Sequence, residues 1–202
     1  MPAARPLLPL ALAAAYALWW AALAVAPVSR AVWWAENIPA LAVFLGLALT
    51  FRRFRFSDAA YLLMAVWLFW HTLGGHYTFA HVPFGWITDL FGFSRNHFDR
   101  VGHFAVGFYA FAAAELLVRR GWANRKTAVA FGLCLIMAVA AGYEIIEWWY
   151  AVLEGGDAGV EFLGSQGDVW DAQADMLADT LGALCSLALF VLWGARERDA
   201  TG

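Results

Sequence analysis

The hydrophobic pattern of the chain consists of long apolar runs separated by short polar segments. A helix needs about 20 predominantly apolar residues to cross the hydrocarbon core of a bilayer. The pattern therefore predicts six membrane-spanning helices, approximately over residues 7–26, 33–50, 59–75, 98–118, 127–152 and 168–194.

Two segments between the predicted spans have a different character. Residues 82–97 are broken by Gly and Pro and are too short to cross, so we expect them to lie at the interface or to re-enter the membrane. Residues 153–167 are rich in Gly and acidic side chains, and we expect them to form a loop leading into the last span.

The composition supports a membrane protein. Of the 202 residues, 63% are hydrophobic and 14% are charged, which is more apolar surface than a soluble domain of this size can bury. No linker, internal repeat or low-complexity tract divides the chain. We therefore predict an all-α fold, a polytopic membrane helical bundle with about six transmembrane helices, in which residues 1–202 form a single membrane domain.

The first apolar run permits two interpretations. Arg5 precedes the run and the small residues Ala24 and Ala26 end it, as in a cleaved signal peptide. Pro27 directly after Ala26 is unfavourable for cleavage, and the run is long for a signal peptide, which favours a retained span. Both interpretations of residues 1–26 stay open at this stage, and both give the same sidedness to the rest of the chain.

The basic residues predict the orientation. With six spans both termini lie on one face, which then carries ten of the thirteen basic residues: Arg5, Arg52, Arg53, Arg55, Arg119, Arg120, Arg125, Lys126, Arg196 and Arg198. Cytoplasmic loops carry an excess of Lys and Arg. We therefore expect a multi-pass protein with both termini in the cytoplasm.

Four aspartates lie at helical spacing at the start of the last predicted span. Asp168, Asp171, Asp175 and Asp179 are three, four and four residues apart, so a helix would place them on one narrow stripe. Ionisable side chains at membrane depth are costly and usually face a bundle interior or a water-filled cavity. This stripe is therefore the leading candidate for a functional site.

Other polar residues lie at a similar depth on neighbouring spans. At about 1.5 Å per residue, His71, His103, Glu144, Glu147, Asp171 and Asp175 all lie roughly 5–12 Å from the predicted outer boundary. Asp99 and Arg100 lie about one helical turn before His103. The sequence therefore predicts a shared His, Asp and Glu pocket that faces outward.

The residue types in this pocket suit a divalent metal. Imidazole and carboxylates together suit Zn or Mn, and carboxylates alone suit Mg. We expect the metal ligands to come from His71, His103, Glu144, Asp168, Asp171 and Asp175, and the catalytic residues from Glu147 as general base, Arg100 as phosphate ligand, and Asp99. The alternative is a structural network in which Arg95 and Arg100 neutralise some acids and the others stay protonated.

Several stretches carry a family resemblance: HTLGGHYTFAHVPFGW, SRNHFDRVGHFAVG, YEIIEWW and FLGSQGDVWDAQADMLADTLGA. They resemble the YjdF-type family of bacterial inner-membrane proteins over about residues 30–192. The second half is also similar to the VanZ-like group through Asp99, His103, Glu144 or Glu147, Asp168, Asp171 and Asp175, although Asp179 with residues 180–182 replaces the Asn-x-x-Gly of that group. The resemblance implies a bacterial inner-membrane location and, through the VanZ-like group, a connection with the cell envelope.

These observations predict a metal-assisted site that binds or hydrolyses an envelope lipid or a lipid-linked substrate, with membrane lipids as partners and no nucleic acid. The chain has no P-loop and no Ser-His-Asp signature, which argues against nucleotide chemistry and covalent serine catalysis. Two alternatives remain, a proton- or ion-coupled transporter and a non-catalytic lipid-binding or structural protein. For a transporter we expect further carboxylates between the pocket and the cytoplasmic side, and Asp179 is the one carboxylate beyond the predicted pocket in that direction, which argues against this alternative.

Overall fold

The computed structural model describes the backbone of residues 7–199 and the side chains of residues 7–156, 159–160 and 162–192. Within residues 7–199 the chain forms nine helices and no strand, which confirms the predicted all-α fold. The helices are α1 (Leu7–Leu23), α2 (Arg30–Thr50), α3 (Asp58–Tyr77), α4 (Gly85–Phe91), α5 (Phe98–Val106), α6 (Tyr109–Arg119), α7 (Arg125–Glu154), α8 (Gly156–Leu163) and α9 (Asp171–Asp199).

Four helical segments are long and apolar enough to cross a membrane: Arg30–Thr50, Phe98–Arg119, Arg125–Glu154 and Asp171–Leu192. The shorter apolar helix α1 packs against α3, and α3 also packs against α2, α5 and α6. Together these elements give the expected bundle of about six transmembrane helices. Large apolar side chains such as Leu49, Leu153 and Leu192 are exposed on its outside, as a lipid environment requires.

Side-chain caps explain where three of the spans begin. The Ser29 hydroxyl accepts a hydrogen bond from the backbone N–H of Val32, and Ser57 does the same for Ala60. Asn124 caps α7 in the same way. Each cap satisfies a backbone N–H that has no partner within its own helix.

The predicted fourth span, residues 98–118, is divided into α5 and α6. The break lies at Gly107, whose carbonyl oxygen accepts a hydrogen bond of 3.0 Å from the Ser186 hydroxyl of α9. A side chain that bonds to a helix carbonyl in this way competes with the helix's own hydrogen bonds and bends it. The sequence pattern alone did not predict this break.

Glycine allows α5 and α9 to pack closely. A Cβ atom on Gly107 would overlap the backbone of Ala183, and a Cβ atom on Gly182 would overlap the carbonyl oxygen of Phe104. Small residues at helix contacts are the usual means by which membrane helices approach each other. This contact fixes the relative position of the polar residues on the two helices.

The two segments between spans are partly helical. The predicted interfacial segment contains α4, which is too short to cross a membrane and exposes Trp86, Leu90 and Phe91. The segment 153–167, expected to be a loop, contains α8. Helix α8 packs against α7 and contacts α2, so it lies across the ends of both helices on the predicted outer side.

Candidate functional site

Two arginines and two aspartates form an ion-paired cluster at the start of α9, which we call the arginine cluster (Arg95, Arg100, Asp168 and Asp171). Arg95 Nη1 donates to Asp171 Oδ1, and Arg95 Nη2 donates to the Gly164 carbonyl oxygen at 3.3 Å. Arg100 Nη2 donates to Asp168 Oδ2 at 2.7 Å and to Asp171 Oδ1 at 3.0 Å. Both aspartates are therefore neutralised by arginines.

Asp168 precedes α9 and does not lie on the helical stripe that its spacing predicts. Its Oδ1 accepts a hydrogen bond of 3.0 Å from the backbone N–H of Trp170, as a residue in a turn before a helix does. This N–H group, together with the guanidinium of Arg100, lowers the pKa of Asp168 below its usual value of 3.8. Asp168 is thus held in its ionised form at the edge of the bundle.

One turn deeper, three other side chains converge, which we call the Asp–His–Asp group (Asp99, His103 and Asp175). One potential ligand atom from each lies within 4.8 Å of the others, which is close enough to surround a single ion. His103 Nε2 lies 3.6 Å from Asp99 Oδ1, and His103 Nδ1 lies 3.0 Å from Oδ2 of Asp179. The group thus combines one imidazole with two carboxylates. A third carboxylate, that of Asp179, contacts the Nδ1 side of the imidazole.

Asp175 is buried, and its Oδ1 has no hydrogen-bond partner among the residues that the structure describes. Arg100 Nε forms an ion pair with this oxygen at 3.4 Å. Asp179 Oδ1 is also buried without a partner in this part of the chain. Buried carboxylate oxygens without partners are costly, so they point to a missing cation or a missing proton.

The sequence brings these side chains together through two helical repeats and one close contact. Asp99 and His103 are four residues apart on α5, and Asp175 and Asp179 are four residues apart on α9. The glycine contact between α5 and α9 places the two pairs side by side. The Asp–His–Asp group is therefore a direct consequence of the helix packing.

A third polar group joins α2, α3 and α7, and its central residue, Glu36, was not among the predicted site residues. The Tyr143 hydroxyl donates to Glu36 Oε2 at 2.8 Å, and His71 Nε2 lies 2.9 Å from the Glu36 carbonyl oxygen. Trp67 stacks on the ring of His71 with 4.7 Å between ring centroids. Counting the depth of Glu36 from the helix start at Arg30, rather than treating it as a boundary residue, would have identified it.

The Asp–His–Asp group and the group around Glu36 border a cavity of about 310 Å³, which is lined by residues of α2, α3, α5, α7 and α9 and by Phe162 and Gly164. Seven of its lining residues carry polar side chains that could meet a ligand: Glu36, His71, Asp99, His103, Tyr143, Glu147 and Asp179. Most of the remaining lining residues are apolar. Along α7 the polar lining residues Tyr143 and Glu147 lie nearer the predicted outer end of the helix than the apolar lining residues Leu135 and Val139, so we call these two parts the polar end and the apolar end of the cavity.

The residues predicted to share one pocket fall into adjacent groups. His71, Asp99, His103 and Glu147 line the cavity, and Asp175 joins the Asp–His–Asp group next to it. His71 contacts Glu36 rather than the other predicted metal ligands.

The other predicted site residues lie away from the cavity lining. Asp168 and Asp171 are bound by arginines, and Arg100, predicted to bind phosphate, is held by aspartates instead. Glu144 is half-buried, and its Oε1 has no hydrogen-bond partner within the described residues. The assignment of metal ligands and catalytic residues stays a prediction.

Comparisons with known proteins agree with the membrane fold. Residues 8–196 match the family described as "Predicted membrane protein (DUF2238)". The chain is also 37% identical over 171 residues to "Inner membrane protein YjdF" of Escherichia coli strain K12, and the match covers 83% of this chain and 81% of that protein. No solved structure matches, and the similarity to the VanZ-like group stays a prediction. The chain belongs to the DUF2238 family of membrane proteins, the family that the YjdF-type resemblance indicated.

Proposed function

We propose that the Asp–His–Asp group binds a divalent metal ion and that the protein uses this ion to bind or hydrolyse an envelope lipid or lipid-linked substrate. The observation that carries the proposal is the convergence of Asp99, His103 and Asp175 within 4.8 Å, with Asp175 buried and making no hydrogen bond among the described residues. A cation is the simplest partner for two carboxylates at this distance.

The charge balance supports a metal at this position. Arg95 and Arg100 donate hydrogen bonds to Asp168 and Asp171, whereas Asp175 is ion-paired with Arg100 Nε at 3.4 Å without a hydrogen bond, and Asp99 has no arginine at ion-pair distance among the described residues. Two ionised carboxylates in a low-dielectric interior need a counter-charge to remain ionised. A divalent ion supplies it and also gives Asp175 the ligand contact that it lacks.

The chemistry of the donor set favours Zn or Mn over Mg. Zinc commonly takes imidazole nitrogen and carboxylate oxygen, whereas Mg prefers oxygen ligands alone. Asp179 contacts His103 Nδ1, so a proton held between them would leave Nε2 free to bind the ion. A carboxylate behind a ligating histidine is a recurrent feature of metal sites.

Glu147 is the carboxylate best placed to act as a general base. It lines the cavity, is buried, and makes no hydrogen bond to any residue that the structure describes. A bound metal would polarise a phosphoryl or acyl oxygen and favour ionisation of a bound water. Glu147 would then accept the proton of that water, whereas Asp99 would act as a ligand and Arg100 would orient the α9 carboxylates.

The cavity supports an amphipathic substrate. Its volume of about 310 Å³ lies at the lower end of the range for small-molecule sites, about 300–1,000 Å³. Its lining includes the charged or titratable side chains of Asp99, His103 and Glu147, and also the apolar residues Pro39 and Val43 of α2 and Leu135 and Val139 of α7. A lipid or lipid-linked molecule combines both properties and is present around an inner-membrane protein.

The metal content of the purified protein tests the proposal. We expect wild-type protein in detergent without chelator to contain about one Zn or Mn per chain by inductively coupled plasma mass spectrometry, and Asp175→Asn to lose it. Asp168→Asn, which changes an ion-paired aspartate, is the matched control and should retain the metal.

Thermal unfolding separates this proposal from a protonated network. A metal-binding wild type should lose thermal stability when a chelator is added, and the Tm of Asp175→Asn should be insensitive to the chelator. The metal site would be excluded if the wild type contains no metal and if neither the chelator nor the Asp175→Asn substitution changes the Tm. The polar residues would then form a structural network of neutral acids.

We also propose that both termini are cytoplasmic. The basic residues support this orientation, since Arg52, Arg119 and Arg120 cluster at the predicted cytoplasmic end. Cysteines at Gly85 and Trp122, in a chain without its two native cysteines, should differ in reactivity: Gly85→Cys should react with an impermeant thiol reagent on whole cells, and Trp122→Cys only after lysis. The reverse pattern would invert the topology.

A further inference from the structure

The cavity is covered at the end that lies on the predicted outer side. Phe162 at the end of α8 and Phe79 after α3 are both buried and line the cavity. Helix α8 connects the ends of α7 and α2 above them. A ligand therefore does not have a wide path into the cavity from this end.

The side of the cavity between α2 and α7 is less closed. Among the residues that the structure describes, α2 packs on α3, and α7 packs on α6, α8 and α9, without extensive packing of α2 on α7. The direct link between them is the hydrogen bond from the Tyr143 hydroxyl to Glu36. Below this link the two helices are separated by the cavity.

Apolar residues border this gap, and we call them the lateral opening (Pro39, Val43, Leu135 and Val139). All four line the cavity. Leu135 and Val139 are 37% and 47% exposed, whereas the neighbouring lining residue Ile136 is 2% exposed. The same two side chains thus belong both to the cavity and to the accessible surface of α7.

The lateral opening lies at the level of lipid chains. Leu135 is ten residues from the start of α7 at Arg125, which corresponds to about 15 Å along the helix at 1.5 Å per residue. That is half of a hydrocarbon core about 30 Å thick. At this depth the medium outside the opening consists of lipid acyl chains and not of water.

We propose that the hydrocarbon chain of a membrane lipid enters the cavity sideways through the lateral opening and lies along its apolar wall. The chain's polar linkage then reaches Glu147 and the Asp–His–Asp group at the other end of the cavity. This inference names the substrate class of the proposed metal site and rests on that proposal. It favours a lipid over a water-soluble substrate because the opening is apolar and faces the bilayer interior.

Photolabelling from within the bilayer tests this route. The protein is reconstituted in vesicles of phosphatidylethanolamine and a phosphatidylglycerol that carries a diazirine near the end of one acyl chain. After irradiation, mass spectrometry of the digested protein locates the adducts. We expect adducts on Ile136 and Ala140, which are buried and line the apolar part of the cavity, in addition to adducts on the exposed outer residues Leu45 and Leu49.

A matched pair of variants on α7 provides the control. Val139→Trp fills the lateral opening and should remove most adducts on Ile136 and Ala140 while leaving those on Leu45. Met137→Trp places the same bulk on a residue of similar exposure (50%) that does not line the cavity, and should leave both sets unchanged. Equal Tm values of the two variants would show that both are folded.

The outcomes separate this inference from the metal proposal. Adducts confined to outer residues, or interior adducts that persist in Val139→Trp, would overturn lateral entry whatever the metal content. Interior adducts that Val139→Trp removes would support lateral entry even in a protein without bound metal. In that second case the metal proposal fails and the cavity remains a lipid-binding site.

Discussion

The arginine cluster and the Asp–His–Asp group each include one aspartate of α9, Asp171 and Asp175, which lie one turn apart but differ in their partners. Asp171 and Asp175 are both buried, with 7% and 3% of their surface exposed. Asp171 accepts hydrogen bonds from two arginines, whereas Asp175 makes none in the described part of the chain. Burial alone therefore does not distinguish a carboxylate that arginines have neutralised from one that could still bind a cation. The partners do, because an already neutralised carboxylate has little capacity to bind a cation.

The largest expected contrast is in the stability of Asn variants at these two positions. Asp171→Asn leaves Arg95 as a buried cation with weaker partners, and breaking a buried ion pair from one side costs about 3–5 kcal/mol. Asp175→Asn, measured in chelator, removes a carboxylate without hydrogen bonds and should cost far less. Denaturant unfolding in detergent micelles measures both free energies.

A double variant checks the cause of the Asp171 effect. Replacing both partners of a buried ion pair by apolar residues of similar size removes the unpaired charge. Arg95→Met combined with Asp171→Leu should therefore be more stable than Asp171→Asn. If Asp171→Asn and Asp175→Asn have equal effects in chelator, the distinction between the two regions is wrong.

The next contrast concerns the helix contact that supports the Asp–His–Asp group. A Cβ atom on Gly182 would overlap the backbone of α5, so Gly182→Ala should separate α5 and α9 and cost about 1–3 kcal/mol or more. Gly142→Ala on α7 meets open space and should be neutral or slightly stabilising, because Ala favours helix. Metal content and unfolding free energy should fall together in the Gly182 variant, and a stable Gly182→Ala would contradict the role of this contact.

Helical spacing made part of the site predictable from the sequence. The four-residue repeats of Asp99 with His103 and of Asp175 with Asp179 depend only on local helix geometry, and the structure retains both. Asp168 obeys the same spacing but lies outside the helix, because the turn before α9 includes Gly167 with positive φ. Periodicity cannot locate a helix start to within one turn when the cap comes from the loop.

Long-range pairing was not predictable in the same way. Arg95 binds Asp171 from 76 positions away, and the sequence indicated only that Arg95 and Arg100 could neutralise some of the acids. Glu36 was missed because a carboxylate near the start of a span resembles an ordinary boundary residue. Only the tertiary contact with Tyr143 distinguishes it. Helix α8 was missed because Gly-rich acidic segments are typical of loops.

A smaller effect is expected from the carboxylate behind the proposed histidine ligand. Asp179→Asn should weaken metal binding about 10–100-fold, because removing a partner that orients a ligand typically has an effect of this size. Glu144→Gln changes another carboxylate of the predicted ligand set that lies outside the Asp–His–Asp group, and should leave the affinity unchanged. Competition with a fluorescent chelator measures both dissociation constants, and a stronger effect of Glu144→Gln would reassign the ligands.

The smallest expected effect is the pH dependence contributed by Asp168. The Trp170 N–H group and the Arg100 guanidinium lower its pKa in the folded protein, so its ionised form stabilises the fold. This contribution is present above the unfolded value of 3.8 and is lost as the pH falls through the lower folded value. Asp168→Asn should therefore lose less stability than wild type between about pH 5 and pH 3. If Asp168→Asn instead follows the wild-type curve, Asp168 contributes nothing to the charge balance at the start of α9, and Arg95 with Asp171 would account for it.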